Sequence, residues 1–187
     1  MCRRLGDEPV VTSDPDTVAI ASRLLLPGVG SFDSGIDGLR HCGLGEALIS
    51  RVGEGIPVLG ICLGMQLLFE SSEEGFERGL CLIPGVVRRL SVDSPEGPVR
   101  IPHMGWSRLE RPRLHGLTEG IDEEARFYFA HSFAVIPDDE RDVIGVSAHG
   151  SRFVSAVARE NVLGIQFHAE KSHRYGKALL GNFLRGF

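Results

Sequence analysis

The chain has 187 residues, 42% of them hydrophobic and 24% charged, with a formal net charge of −5. That length supports one compact domain with its own core, and the composition excludes a disordered chain. The negative balance excludes broad attraction to nucleic acid or an anionic membrane, although Arg108, Arg111 and Arg113 cluster locally. No apolar stretch approaches the roughly 20 residues that span a bilayer, and Met1 to Pro9 lacks the apolar centre of a secretory signal. The four cysteines, at 2, 42, 62 and 81, form no CxxC pair and have no histidine at zinc-ligand spacing. Reduced thiols in the cytoplasm, with no metal and no cofactor, are therefore expected.

Taken in chain order, short apolar runs alternate with longer amphipathic ones. Arg23 to Leu26 reads as a buried strand that ends in Pro27-Gly28-Val29-Gly30, a glycine-rich turn. Ser34 to Val52 reads as a helix interrupted by glycines at 38, 43 and 45. Pro57 to Ile61 is a second buried strand, and Leu63 to Glu70 follows with helical residue types and no proline. Strand, tight turn and helix make the unit of a parallel sheet covered on both faces. The second half is richer in strands: Val86 to Leu90, Val99 to Ile101, Phe127 to Val135 and Val143 to Ala148. Phe153 to Arg159 and Val162 to Phe167 flank a hairpin turn at Glu160-Asn161, and His173 to Phe187 closes the chain as a helix. The expectation is one α/β domain over residues 1–187, with a mixed central sheet.

Three strand ends carry the chemistry. In Gly60-Ile61-Cys62-Leu63-Gly64, a cysteine sits between a buried strand and a helix, with glycines two residues to either side. A nucleophile elbow needs that arrangement, because its sharp turn brings backbone segments too close for larger side chains. The N–H of Leu63 would then face a developing acyl oxyanion. The alternative is a buried structural cysteine, a common fate for free cysteine. His168 and Glu170, in Gln166-Phe-His-Ala-Glu170, lie at the mouth of another apolar strand. Their i, i+2 spacing puts both on one side of an extended segment, so that the carboxylate orients an imidazole whose other nitrogen meets the thiol. At the third end, the peptide before Gly30 is free to rotate and offer a second oxyanion donor, although such a run alone is merely a turn. Ligands in α/β sheets bind at the carboxyl ends of strands. The three features together favour a cysteine amidohydrolase.

The segments Gly60-Ile-Cys-Leu-Gly-Met-Gln66, Gln166-Phe-His-Ala-Glu170 and Pro27-Gly-Val-Gly30 resemble the motifs of class I, triad-type glutamine amidotransferases. Pro102-His-Met-Gly-Trp106 and Phe127-Tyr-Phe-Ala-His-Ser-Phe133 are similar to those of the glutaminase subunits of imidazole glycerol phosphate synthases, and the likeness extends over essentially the whole chain. The resemblance implies a flavodoxin-like three-layer fold in which Cys62 forms a γ-glutamyl thioester, His168 moves the protons and Glu170 orients His168. It implies oxyanion N–H groups from Leu63 and Gly30, and glutamine contacts from Gly28, Gly64, Gln66, Glu74, Ser132 and Phe133. Glu74 reads equally well as a solvated carboxylate. It further implies a heterodimer with a (β/α)8-barrel cyclase subunit that receives ammonia through a channel in histidine biosynthesis. Ligand binding at that partner is expected to switch the glutaminase on through rotation of the Val29–Gly30 peptide.

The chain departs from the family in places. Met1 to Gly6 resembles the end of the family's first helix, with Glu8 to Thr12 as the second strand. About one strand–helix unit, ~30 residues, is therefore expected to be missing. A start assigned too far downstream is the preferred reading, and an upstream extension is expected to raise solubility. Ala169 replaces a usual proline, Ser107 a usual asparagine and Phe133 a common tyrosine, the last two removing polar groups. The competing readings are a non-catalytic or inactive truncated homologue, a glutaminase serving anthranilate or aminodeoxychorismate synthesis, and a cysteine peptidase on a related fold.

Overall fold

The computed structural model describes residues 1–93, 97–111 and 113–187. In chain order, α1 is Pro15–Ala19, β1 Leu24–Gly28, α2 Phe32–His41, α3 Leu44–Gly53, β2 Val58–Cys62 and α4 Leu63–Leu67. Then come β3 Ser71–Ser72, β4 Gly85–Arg89, β5 His103–Arg108, β6 Arg126–His131 and β7 Phe133–Pro137. The chain ends with β8 Val143–His149, β9 Ser151–Arg159, β10 Val162–Ile165 and α5 His173–Gly186. An eight-stranded sheet runs β1-β2-β10-β9-β7-β4-β3, with β8 paired to β9, while β5 and β6 form a separate ribbon. The sheet is mixed: β1, β2 and β10 are parallel neighbours, and β9 turns antiparallel to β10.

Period-2 alternation sorts the core into two layers. Leu59, Ile61, Leu163 and Ile165 face one side, where they meet Phe127 and Phe129 of β6 and Leu179 and Phe183 of α5. Val58, Val157 and Val162 face the other, against Ile36, Leu48 and Met65 from the α2–α4 side. Each large side chain buried this way stabilises the fold by about 1.5–3 kcal/mol. The three-layer α/β expectation holds.

Several elements differ from those read in the sequence. Glu8 to Thr12 is not a strand: it finds no ladder partner among the described residues, and Val10 and Val11 are 75% and 99% exposed. Met1 to Gly6 contains a short 3-10 helix, Cys2–Leu5, rather than the end of an α-helix. The β1 strand forms as expected but is only partly buried, because β2 is its one strand neighbour among the described residues. The helix expected over 34–52 is two helices, since Gly43 takes φ 68° between them. The helix after Cys62 stops at Leu67 rather than Glu70.

Val99 to Ile101 is no strand, because the Val99 N–H turns back to the Val92 carbonyl. The run 127–135 breaks at Ser132, and its halves join different sheets: β6 pairs with β5, and β7 with β4 and β9. Within the Pro102 to Trp106 motif, His103 to Trp106 begin strand β5. The hairpin between β9 and β10 is where it was expected, with Glu160 at φ 52°. Among the described residues, no helix is long and apolar enough to cross a membrane.

Candidate active site

The parallel order β1-β2-β10 sets the carboxyl ends of three strands side by side. Gly28 is in register with Cys62, and Ile165 with Ile61, so the glycine turn, the cysteine and the histidine segment meet at one edge of the sheet. Cys62 is 7% exposed and adopts φ 55°, ψ −112°, outside the conformations a side-chain-bearing residue ordinarily takes. The flanking glycines permit it. A Cβ on Gly64 would lie 1.7 Å from the Leu26 carbonyl oxygen, and one on Gly60 would lie 2.6 Å from the Gly64 oxygen. This is the sharp elbow anticipated from the sequence, with the thiol at its apex.

Opposite it, Glu170 Oε1 accepts from His168 Nδ1 at 2.7 Å, which leaves Nε2 as the ring nitrogen available to Cys62. The geometry differs in one respect from the extended pair expected: Glu170 sits in a short 3-10 helix, Ala169–Lys171, that curls it back beneath the ring. Ala169, fully buried, occupies the turn where a proline was expected. Hydrogen bonds to Cys62 and then to Glu170 raise His168 to about 9, against an opposing push from burial. The site therefore favours an imidazolium beside Cys62. For Glu170, burial pushes the carboxyl up, but the His168 hydrogen bond and charge outweigh it and the net shift is downward.

Two residues without an assigned role in the sequence reading hold this pair in place. Ser172, fully buried, donates to the His168 carbonyl at 2.6 Å and accepts from the Tyr128 N–H at 3.0 Å, while the His168 N–H donates to the Tyr128 carbonyl at 2.9 Å. Gln166, also fully buried, turns its Nε2 toward Cys62 Sγ at 3.8 Å and accepts from Gln66 Nε2 at 3.1 Å. Their position after an apolar strand and beside the histidine motif was the only signal in the sequence.

A pocket of about 320 Å³ opens over the thiol, and its wall includes Gly30, Leu63, Gln66, Glu74, Ser132 and Phe133. Gly30 takes φ 109° beside an exposed Val29. Glu74 is not simply solvated: its Oε2 accepts from the Phe32 N–H at 2.8 Å, capping α2. Gly28 and Gly64 serve the packing behind the wall, where a Cβ on Gly28 would lie 3.1 Å from the Gly64 nitrogen. Ser107 keeps a polar role, since its hydroxyl meets His103 Nε2 at 3.1 Å and the Ala148 carbonyl at 3.2 Å. Burial lowers His131 to about 3, and burial with the nearby His149 lowers His103 to about 4, so both rings are neutral near pH 7. Among the described residues, no group of three or more His, Cys, Asp or Glu side chains is arranged to hold a metal.

A family model described as glutamine amidotransferase class-I matches residues 7–187. The chain is 48% identical to the imidazole glycerol phosphate synthase subunit HisH of Caulobacter vibrioides, covering 97% of this chain and 85% of that one. It is 45% identical to the subunit of that name from Sulfurimonas denitrificans, covering 97% and 88%, and 40% identical to a HisH 2 subunit from Methanococcus maripaludis, covering 99% and 91%. A crystal structure titled glutamine amidotransferase superposes with a TM-score of 0.70 at 21% identity over 99% of this chain and 90% of that one. PurLQS from Thermotoga maritima gives 0.62 at 18% identity over 87% and 79%. The two structural likenesses bear on the fold alone.

Proposed function

The chain belongs to the class-I glutamine amidotransferase family, and from that premise we propose that Cys62, His168 and Glu170 are its catalytic triad. It is an enzyme, a glutamine amidotransferase with the glutaminase role in histidine biosynthesis, and it acts as one subunit of an imidazole glycerol phosphate synthase. The observation that carries the triad is the strained Cys62 elbow facing an imidazole whose far nitrogen is held by Glu170.

In the reaction, the Cys62 thiolate attacks the side-chain amide carbon of glutamine, and the carbonyl oxygen takes up the negative charge. The N–H groups of Leu63 and, after rotation of the Val29–Gly30 peptide, Gly30 receive that charge. The His168 imidazolium gives its proton to the departing nitrogen, so ammonia leaves and a γ-glutamyl thioester remains. Neutral His168 then takes a proton from water, whose oxygen attacks the thioester, and glutamate leaves with Cys62 restored. Glutamine and water become glutamate and ammonia. Gln66, Glu74, Ser132 and Phe133 supply the polar walls that hold the substrate, and Gly28 and Gly64 act through the backbone.

The partner in this reading is a (β/α)8-barrel cyclase subunit that receives the ammonia through a channel. Support comes from the exposed Met104 and Trp106 on β5, where Met104 borders the pocket mouth and Trp106 stacks on His173. Apolar surface beside a pocket marks a place for another protein. Residues 1–187 act as one amidotransferase domain, and the four free thiols suit the cytoplasm. The test is to mix the chain with the cyclase subunit and follow glutamate release. Release that rises with the cyclase ligand and vanishes in Cys62→Ala supports the reading, and release unaffected by either sinks it.

A further inference from the structure

Behind the pocket, β5 and β6 pair in a register that sets His103 directly opposite His131. Their rings meet at 3.3 Å between His103 Nδ1 and His131 Nε2, and Ser107 Oγ lies 3.1 Å from His103 Nε2. On its other side, His131 Nδ1 lies 2.8 Å from the Phe133 carbonyl oxygen. A carbonyl oxygen only accepts, so Nδ1 must carry the proton. In a neutral ring, Nε2 is then the acceptor, and His103 must donate from its own Nδ1. That leaves His103 Nε2 an acceptor, which shares the single hydroxyl proton of Ser107 with the Ala148 carbonyl. One backbone carbonyl thus assigns the protons of both rings.

The same carbonyl fixes two more side chains. Gln66 approaches it at 3.1 Å and must present its Nε2 there. That nitrogen also donates to Gln166 at 3.1 Å, so Gln166 turns its oxygen to Gln66 and its nitrogen toward Cys62. Both N–H bonds of Gln66 are used, and only its oxygen is left for a ligand. Ser132 and Phe133, on the pocket wall, lie at the break between β6 and β7 that the His131–Phe133 hydrogen bond spans.

We propose that His131 is a positioning residue for substrate selection: as the neutral Nδ1–H tautomer it pins the Phe133 carbonyl, and through it sets Gln66 to present an acceptor to the pocket. An acceptor there suits a ligand carrying N–H donors, the carboxamide or ammonium of glutamine, and disfavours a second carboxylate. This inference rests on the glutaminase reading and adds a determinant outside the triad.

The test uses the complex with the cyclase subunit and its ligand. His131→Leu removes the donor, whereas His131→Asn places an amide nitrogen close to where Nδ1 stood. The Leu variant is expected to raise KM for glutamine about tenfold, a loss of about 1.4 kcal/mol, with kcat within about twofold. The Asn variant is expected to recover most of that loss. Unchanged KM in the Leu variant, or an Asn variant as impaired as Leu, overturns the inference while wild-type turnover leaves the glutaminase reading standing. Absence of turnover in the wild-type complex overturns that reading itself. Independently of activity, nitrogen-15 histidine spectra of the wild-type chain at pH 7 are expected to show His131 protonated at Nδ1 alone. The opposite tautomer or an imidazolium overturns the inference even if the Leu variant does not fold.

Discussion

The Glu74 carboxylate accepts a hydrogen bond from the Phe32 backbone N–H at 2.8 Å, two residues beyond Gly30. One side chain thus borders the pocket and holds the start of the helix that follows the oxyanion turn. Capping satisfies a backbone donor that the helix cannot, and the negative charge suits the positive helix end. Glu74→Ala is expected to cost about 1 kcal/mol of stability and to raise KM for glutamine by about fivefold. Thermal unfolding and steady-state kinetics on the same variant check both. A variant that loses neither would return Glu74 to the role of a solvated carboxylate.

Protonation of His168 gives a second prediction. Its folded value of about 9 lies above the ordinary 6.5, so the stability it contributes is fully present below about pH 6.5 and fades as pH rises through about 9. Glu170→Gln weakens the hold on the imidazolium and is expected to shift the titration downward. Proton NMR of the His168 ring from pH 5 to 10, with unfolding temperatures over the same range, reports both effects. Titration of His168 near pH 6.5 in the wild-type chain would contradict the ion-pair account.

The elbow makes a third. A Cβ at residue 64 has no room beside the Leu26 carbonyl oxygen, and backbone cannot move aside as a flexible side chain can. Gly64→Ala is therefore expected to destabilise the chain by about 1–3 kcal/mol and to displace the thiol. Denaturant unfolding measures the first effect, and alkylation of Cys62 by iodoacetamide the second. Wild-type stability together with a wild-type alkylation rate would mean that the elbow relaxes freely.

Much of this site is legible in the sequence because its parts are local. The β2 strand is an unbroken apolar run, and Gly60 and Gly64 announce a tight turn around Cys62. The same is true of the apolar β10 strand leading to His168 and Glu170. What stays hidden depends on pairing. Phe127 to Val135 contains no Gly or Pro, so nothing local shows that it leaves one sheet for another at Ser132. Val10 and Val11 have strand-forming side chains but find no partner ladder among the described residues. Gln166, Ser172 and the His103–His131 pair gain their roles from contacts across 28 to 104 residues of chain, which no spacing rule reaches.

The most direct test of the central claim is glutamate release from glutamine by this chain in complex with the cyclase subunit, with Cys62→Ala alongside. The account predicts steady release by the wild-type complex that rises when the cyclase site is filled, and a fall of roughly 10³-fold or more in the variant. Release that survives loss of the thiol would contradict it, because Cys62 is the only cysteine among the described residues that line the pocket.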